Sequence, residues 1–139
     1  MHKTVVIDIV GLSSSLIGEN TPFLKNYTAN KKIHTITPML PAVTTAVQST
    51  YVTGKWPESH GIVGNGWYDR VDCEIKFWKQ SNKLVSGEKI WDRAKAIDKD
   101  FTVSKMFWWY NMYSSADYSA TPRPNYLADG RKMPDCYTH

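Results

Sequence analysis

The sequence predicts an α/β fold in which a mostly parallel sheet carries flanking helices. Two observations predict it. Short β-branched runs at residues 4–10 (TVVIDIV) and 32–37 (KIHTIT) alternate with segments bounded by helix-start and helix-stop residues, giving a β-α-β-α order. The chain's 139 residues are enough for one domain with one hydrophobic core.

The first run is short, apolar and ends at Gly11, as a buried strand does. Thr21-Pro22 then supplies an N-cap and a proline at the first helical position, so a short helix is expected over 23–29. The run at 32–37 is the second expected strand. A proline-bounded turn at 38–41 leads to a helix that starts at Thr44 and runs without Pro or Gly to Tyr51, with Thr53-Gly54 as its stop. Residues 67–69 and 73–78 are read as an edge hairpin. A helix over 89–97 is expected to present Ile90, Trp91, Ala94 and Ile97 on one face. Residues 101–107 form a further strand candidate. Beyond Trp108 the chain is rich in turn residues and reads as structureless.

In open α/β sheets ligands bind at the carboxyl ends of the strands. Asp8 lies late in the first strand among Val6, Ile7, Ile9 and Val10. A carboxylate there needs a partner, either neighbouring backbone or a cation. Thr44 and Thr45 stand at a helix start, where a hydroxyl has two possible jobs. It caps the helix, or it attacks a phosphorus or sulfur centre held by the free N–H groups and the positive end of the helix dipole. Asn65 follows by a short loop; it is either a turn residue before Gly66 or an amide donor to a developing oxyanion. Together an acid, a hydroxyl and an amide at one sheet edge make a phosphoryl-transfer site.

The spacing of these residues resembles the alkaline phosphatase superfamily. The motif elements are a strand with a late Asp, TPxL at Thr21-Pro22-Phe23-Leu24, Pro-x-x-Thr from Pro41 to Thr44, and Thr-Gly-x-x-Pro-x-x-His-Gly-Ile-x-x-Asn from Thr53 to Asn65. Within the superfamily the chain is most similar to the type I phosphodiesterase/nucleotide pyrophosphatase branch, with clear motifs over about residues 4–70. The resemblance implies a phosphoric ester hydrolase with two divalent metal ions, usually zinc, and a covalent phosphothreonine intermediate. Asp8 would be a metal ligand and Thr44 the metal-stabilised nucleophile. Asn65 and the backbone N–H after Thr44 would donate to a phosphate oxygen. His60 matches the family's His-Gly and is read as structural. Two positions depart from the pattern: Ile9-Val10 separate Asp8 from Gly11, and Thr45-Ala46-Val47 stands where diesterases often have Pro-Asn after the nucleophile.

The four histidines, His2, His34, His60 and His139, form no HxxxH or Asp-His pair, so the ligands that the family takes from its C-terminal half are missing. The expectation is therefore the N-terminal part of a single alkaline-phosphatase-like catalytic domain: a partial parallel sheet with flanking helices, the C-terminal half missing, inactive and poorly soluble alone. Its implied partners are a phosphoester small molecule and that missing half. The alternative is a non-catalytic binding or remnant protein that keeps the fold without a complete metal site.

Net charge is +4, and no run of five basic residues appears, so nucleic acid is not an expected partner. Cys73 and Cys136 fit neither a disulfide scaffold nor a CxxC zinc site. No stretch reads as a signal peptide or a membrane span, so the expected location is cytoplasmic.

Overall fold

A computed structural model describes residues 2–122, 125–127, 129–133 and 137–138. It is a mixed structure of helices and short strands that divides into two compact units, Met1–Pro38 and Met39–His139.

The first unit holds a single turn of 3-10 helix, Ser14–Leu16, and helix α1, Pro22–Thr28. Pro22 sits in the first turn of α1 as predicted, but the Thr21 hydroxyl does not cap it. It donates instead to Leu16 O (2.9 Å) and accepts from the Gly18 N–H (2.9 Å), tying off the preceding loop. The two expected strands do not form: residues 4–10 and 32–37 have no regular structure. Propensity alone does not make a strand, because its backbone N–H and C=O groups need a neighbouring strand to pair with. Among the described residues neither run has one. The apolar side chains of the first run accordingly stay open, with Val5 83% exposed.

The second unit is built around helix α2, Thr44–Thr53. Gly54 closes it in the left-handed conformation (φ 63°), which only glycine adopts without strain, and its N–H bonds Thr50 O. One short turn later helix α3, Pro57–His60, ends the same way at Gly61. The core gathers Met39, Ala46, Ile62, Val85 and Tyr110, with Val43, Val47 and Trp109 packed against it. Ala46 lets neighbouring chain approach the helix closely; it is fully buried.

The expected hairpin is present as β1, Gly66–Asp69, and β2, Glu74–Phe77. They pair antiparallel from Gly66↔Phe77 to Asp69↔Glu74. Asp69 closes the turn: its Oδ1 accepts the N–H groups of Val71 (2.9 Å) and Asp72 (3.0 Å), and its Oδ2 accepts from Lys76 Nζ (2.8 Å). The Lys76 hydrogen bond, followed by the backbone donors, holds the Asp69 carboxyl at about 2. Gly66 is required by close approach, since a Cβ there would overlap the Phe77 ring and lie 3.0 Å from Lys76 O.

Helix α4 spans Ile90–Ile97. Only half of the expected apolar face is covered: Trp91 and, in part, Ala94. Trp91 is buried, while Ile90 (66%) and Ile97 (70%) are exposed. Polar contacts settle the rotation: Trp91 Nε1 donates to Ser115 Oγ (2.8 Å), and Lys95 Nζ pairs with Asp117 Oδ1 (2.8 Å).

Strand β3 is Ser104–Met106, inside the expected run. Its partner comes from the tail expected to be structureless. Strand β4, Tyr118–Pro122, runs parallel to β3 from Ser104↔Tyr118 to Met106↔Ala120. Two-residue strands follow: β5, Asn125–Tyr126, pairs with β6, Lys132–Met133, and β7, Tyr137–Thr138, pairs with β4. The connection from β3 to β4 contains three bulky residues at positive φ: Phe107 (64°), Tyr110 (55°) and Tyr113 (62°). Such backbone is costly for aromatic residues and persists only where surrounding contacts over-determine it. Here the Trp109 N–H donates to Gln48 Oε1 on α2 (2.9 Å), and Thr121 Oγ1 donates to Trp108 O (2.6 Å).

Candidate active site

The N-terminus of α2 brings Thr44, Thr45 and Asn65 together. The cap residue is Val43, extended at φ −116°, and no side chain caps the helix. Thr44 is therefore the first helical residue, not the cap. It is half-buried, and its hydroxyl makes no hydrogen bond among the described residues.

Thr45 is different in kind. It is fully buried. Its hydroxyl donates to Gly64 O (2.7 Å), with Asn65 Oδ1 (3.1 Å) as a second acceptor, and its backbone N–H donates to Asn65 Oδ1 (3.0 Å). A backbone N–H can only donate, so the Asn65 atom facing it must be the oxygen. That fixes the amide: its NH₂ group points away from Thr45 as a two-proton donor. Asn65 is held on the other side as well, because its carbonyl accepts the Trp78 N–H (2.9 Å) that continues the β1–β2 hairpin.

The Thr45 N–H bond bears on one sequence expectation. The N–H after Thr44 was to share a phosphate oxygen with Asn65, but that N–H belongs to the Asn65 side chain. It orients the donor and is not itself a free donor. The bond is invisible in the sequence, where Thr45 is only the second of two adjacent threonines.

His60, fully buried, meets α2 further along, at Thr50. Its Nδ1 accepts the Ile62 N–H (3.1 Å), which places the ring proton on Nε2, where it meets Thr50 Oγ1 (3.0 Å). Thr50 passes its own hydroxyl hydrogen to Ala46 O (3.0 Å). Burial pushes the imidazole below its ordinary value and keeps it neutral. Both nitrogens are committed, so His60 braces α2 against α3 and has no lone pair to offer a metal. Tyr110 reaches the same helix, and burial raises its phenol to about 12.

Asp8 belongs to the first unit. It is exposed on an irregular segment, not set in a buried strand. Among the described residues no group of three or more His, Cys, Asp or Glu gathers where an ion could bind, so these residues do not by themselves fit a metal centre. Nor, among them, is any helix long and apolar enough to cross a membrane. His139 and Cys136 lie outside the described residues.

Comparison with known proteins agrees with the motif reading. The family described as type I phosphodiesterase / nucleotide pyrophosphatase matches residues 4–137. An ectonucleotide pyrophosphatase/phosphodiesterase of Caenorhabditis elegans is 28% identical over 130 residues, 88% of this chain and 15% of that protein. An uncharacterized pyrophosphatase/phosphodiesterase of Schizosaccharomyces pombe is 32% identical over 100 residues, 66% of this chain and 20% of that protein. The chain thus spans between about a seventh and a fifth of the length of these relatives. No solved structure gives a significant match.

Proposed function

The chain belongs to the type I phosphodiesterase / nucleotide pyrophosphatase family, and from that premise we propose that it carries the nucleophile region of a phosphoric ester hydrolase. Thr44 Oγ1 attacks phosphorus, forming a P–O bond as the bond to the leaving alcohol or phosphate breaks. Water then cleaves the phosphothreonine, returning the Thr44 hydroxyl and releasing the phosphate or phosphomonoester.

The observation that carries this reading is the division of labour between neighbouring threonines. Thr45 is buried and spends its hydroxyl and its N–H on Gly64 and Asn65. Thr44, one residue earlier, keeps its hydroxyl unspent at the positive end of a ten-residue helix. The Asn65 NH₂, oriented by Thr45, is the donor for charge developing on a non-bridging oxygen. On this reading the chain is the N-terminal part of an alkaline-phosphatase-like catalytic domain. The resemblance also assigns two divalent ions, zinc in the usual case, with Asp8 and Thr44 as this chain's share of the ligands. The described residues alone do not complete such a site, so no step here is routed through a metal.

The test is to map the intermediate. The intact protein is mixed with an aryl phosphodiester, quenched in acid within the first turnover, and digested for mass spectrometry. Phosphate on Thr44 is the expected result. Phosphate on Thr45, or turnover with no protein-bound phosphate, overturns the nucleophile assignment. Absence of turnover with every phosphoester tried favours the non-catalytic reading, in which the Thr45–Asn65 bonds serve the fold alone.

A further inference from the structure

Tyr110 stands on the connection between β3 and β4, far in sequence from α2. It is nonetheless 3% exposed and packs in the core with Ala46 of that helix. Its backbone is pinned from several sides. It sits at positive φ (55°), and its carbonyl accepts from Lys105 Nζ (2.8 Å) and Asn82 Nδ2 (2.9 Å). The preceding N–H, of Trp109, is held by Gln48 Oε1 on α2 (2.9 Å). Backbone this costly for an aromatic residue persists where its surroundings over-determine it. What the pinning fixes is the place of the Tyr110 ring against α2.

The phenol at the end of that ring is an orphan. Its oxygen is buried and closes no hydrogen bond. A buried hydroxyl without a partner costs free energy. The side chain it interacts with is that of Thr45, which draws the phenol's pKa down against the larger upward push of burial. Thr45 can take a donor. Its Oγ1 gives its one hydrogen to Gly64 O (2.7 Å), with Asn65 Oδ1 (3.1 Å) as the second acceptor, and among the described residues it closes no bond as an acceptor. Ser49, one turn further along α2, carries another buried hydroxyl with no partner and is the rival acceptor.

We propose that Tyr110 is a positioning residue for the chemistry at the start of α2: its phenolic O–H donates to Thr45 Oγ1 and so sets the peptide that carries the Asn65 amide. The role rests on the reading of Thr44 and Asn65 given above. A donor arriving at Thr45 Oγ1 fixes the rotation of that hydroxyl, and along a chain of hydrogen bonds each donor strengthens the next. The Thr45 hydrogen is thereby held on Gly64 O, the carbonyl of the peptide bond whose nitrogen belongs to Asn65. The Thr45 N–H meanwhile holds Asn65 Oδ1. Backbone and side chain of Asn65 are thus both set from Thr45, and Thr45 is set from Tyr110. The strained connection that carries Tyr110 gains a purpose: it delivers one O–H to a place the neighbouring chain does not supply.

Tyr110→Phe removes one oxygen and keeps the ring, and it is tested in the intact protein alone and combined with Thr45→Ala. An orphan phenol and a bonded one give opposite signs. Losing a buried hydroxyl that has no partner leaves the thermal midpoint unchanged or raises it, whereas losing one that donates to Thr45 lowers it by about 3 °C. The expected result is a fall that disappears in the Thr45→Ala background. An unchanged or higher midpoint, or the same fall in both backgrounds, overturns the proposal. So does coupling to Ser49→Ala in place of Thr45→Ala, which assigns the phenol to Ser49. In turnover of an aryl phosphodiester, Tyr110→Phe lowers kcat by about five- to tenfold and leaves KM within about twofold, because Asn65 acts on charge that develops in the transition state. An unchanged kcat rejects the positioning role. If the unaltered protein cleaves no phosphoester, the reading of Thr44 fails and the Asn65 NH₂ signal in ¹⁵N NMR decides for Tyr110. That signal, assigned by its loss in Asn65→Asp, shifts in Tyr110→Phe, and its staying in place rejects the role.

Discussion

Thr44→Ala in the intact protein is expected to lower cleavage of an aryl phosphodiester by at least about a thousandfold, the scale on which loss of a covalent nucleophile is felt. The control that gives this number meaning is Thr45→Ala. Removing the Thr45 hydroxyl leaves its N–H on Asn65 Oδ1 but deletes the bond to Gly64 O that seats the residue. Its effect is therefore on the aim of the Asn65 amide, a loss of about ten- to a hundredfold, as for a displaced oxyanion donor. Thr45→Ser, which keeps the hydroxyl, restores most of the rate. Equal losses in the two alanine variants would mean that Thr44 acts through the fold and not as the nucleophile. Rate measurements under saturating substrate separate these outcomes, because neither hydroxyl is required for the other's backbone bond.

The second large effect concerns stability. His60→Ala in this chain is expected to cost about 3 kcal/mol or more, combining a buried cavity with the loss of partners for Ile62 N–H and Thr50 Oγ1. The same residue sets a pH dependence. The unfolded state takes up a proton near the ordinary value of 6.5, whereas the buried imidazole in the folded state resists it. Below 6.5 the unfolded state thus binds more protons than the folded one. This contribution to stability is complete above that pH, falls as the pH drops through it, and levels off below the lowered folded value. Denaturant midpoints of the chain and of His60→Gln, compared at pH 8 and pH 5.5, check it. The difference between them shrinks at the lower pH, and a constant difference would refute the assignment of a neutral buried ring.

Helices were legible in the sequence because their signals are local. Thr21-Pro22 opens α1 and Gly54 closes α2 where their steric preferences say they must. Strand pairings were legible only where the partner is close in sequence. The β1–β2 hairpin closes over four residues, whereas β3 finds β4 across the connection that holds Phe107, Tyr110 and Tyr113. The β-branched run at 4–10 has the composition of a strand and no described neighbour to make it one. At the candidate site, Thr44 and Asn65 were named through the resemblance of their motifs to a known family. The role of Thr45 could not be, since it depends on which way one amide group faces. Likewise Ile90 and Ile97 marked an apolar face that the contacts of Trp91 and Lys95 overrule.

The bonds that aim Asn65 also bear on how the protein ages. Asn65 precedes Gly66, a dipeptide in which the glycine nitrogen readily attacks the side-chain amide carbon. Ammonia leaves, a cyclic imide forms, and its hydrolysis yields aspartate or isoaspartate. The attack requires the side chain to swing back over Gly66. Here Oδ1 is held by Thr45, and Gly66 is already committed as the first residue of β1. The same contacts that orient a donor therefore shield a chemically weak bond, and each opening of them is a chance of permanent damage. Ammonia loss at Asn65, followed by peptide mass over days, should run faster in Thr45→Ala, which loses the hydroxyl bonds to Gly64 O and Asn65 Oδ1, than in the unaltered chain; equal rates would mean that the Thr45 hydroxyl adds nothing to the restraint its N–H already gives. Once converted, the residue would present a negative charge where a phosphate oxygen is proposed to sit, so an old molecule and a new one would differ in the one atom that recognises the anion.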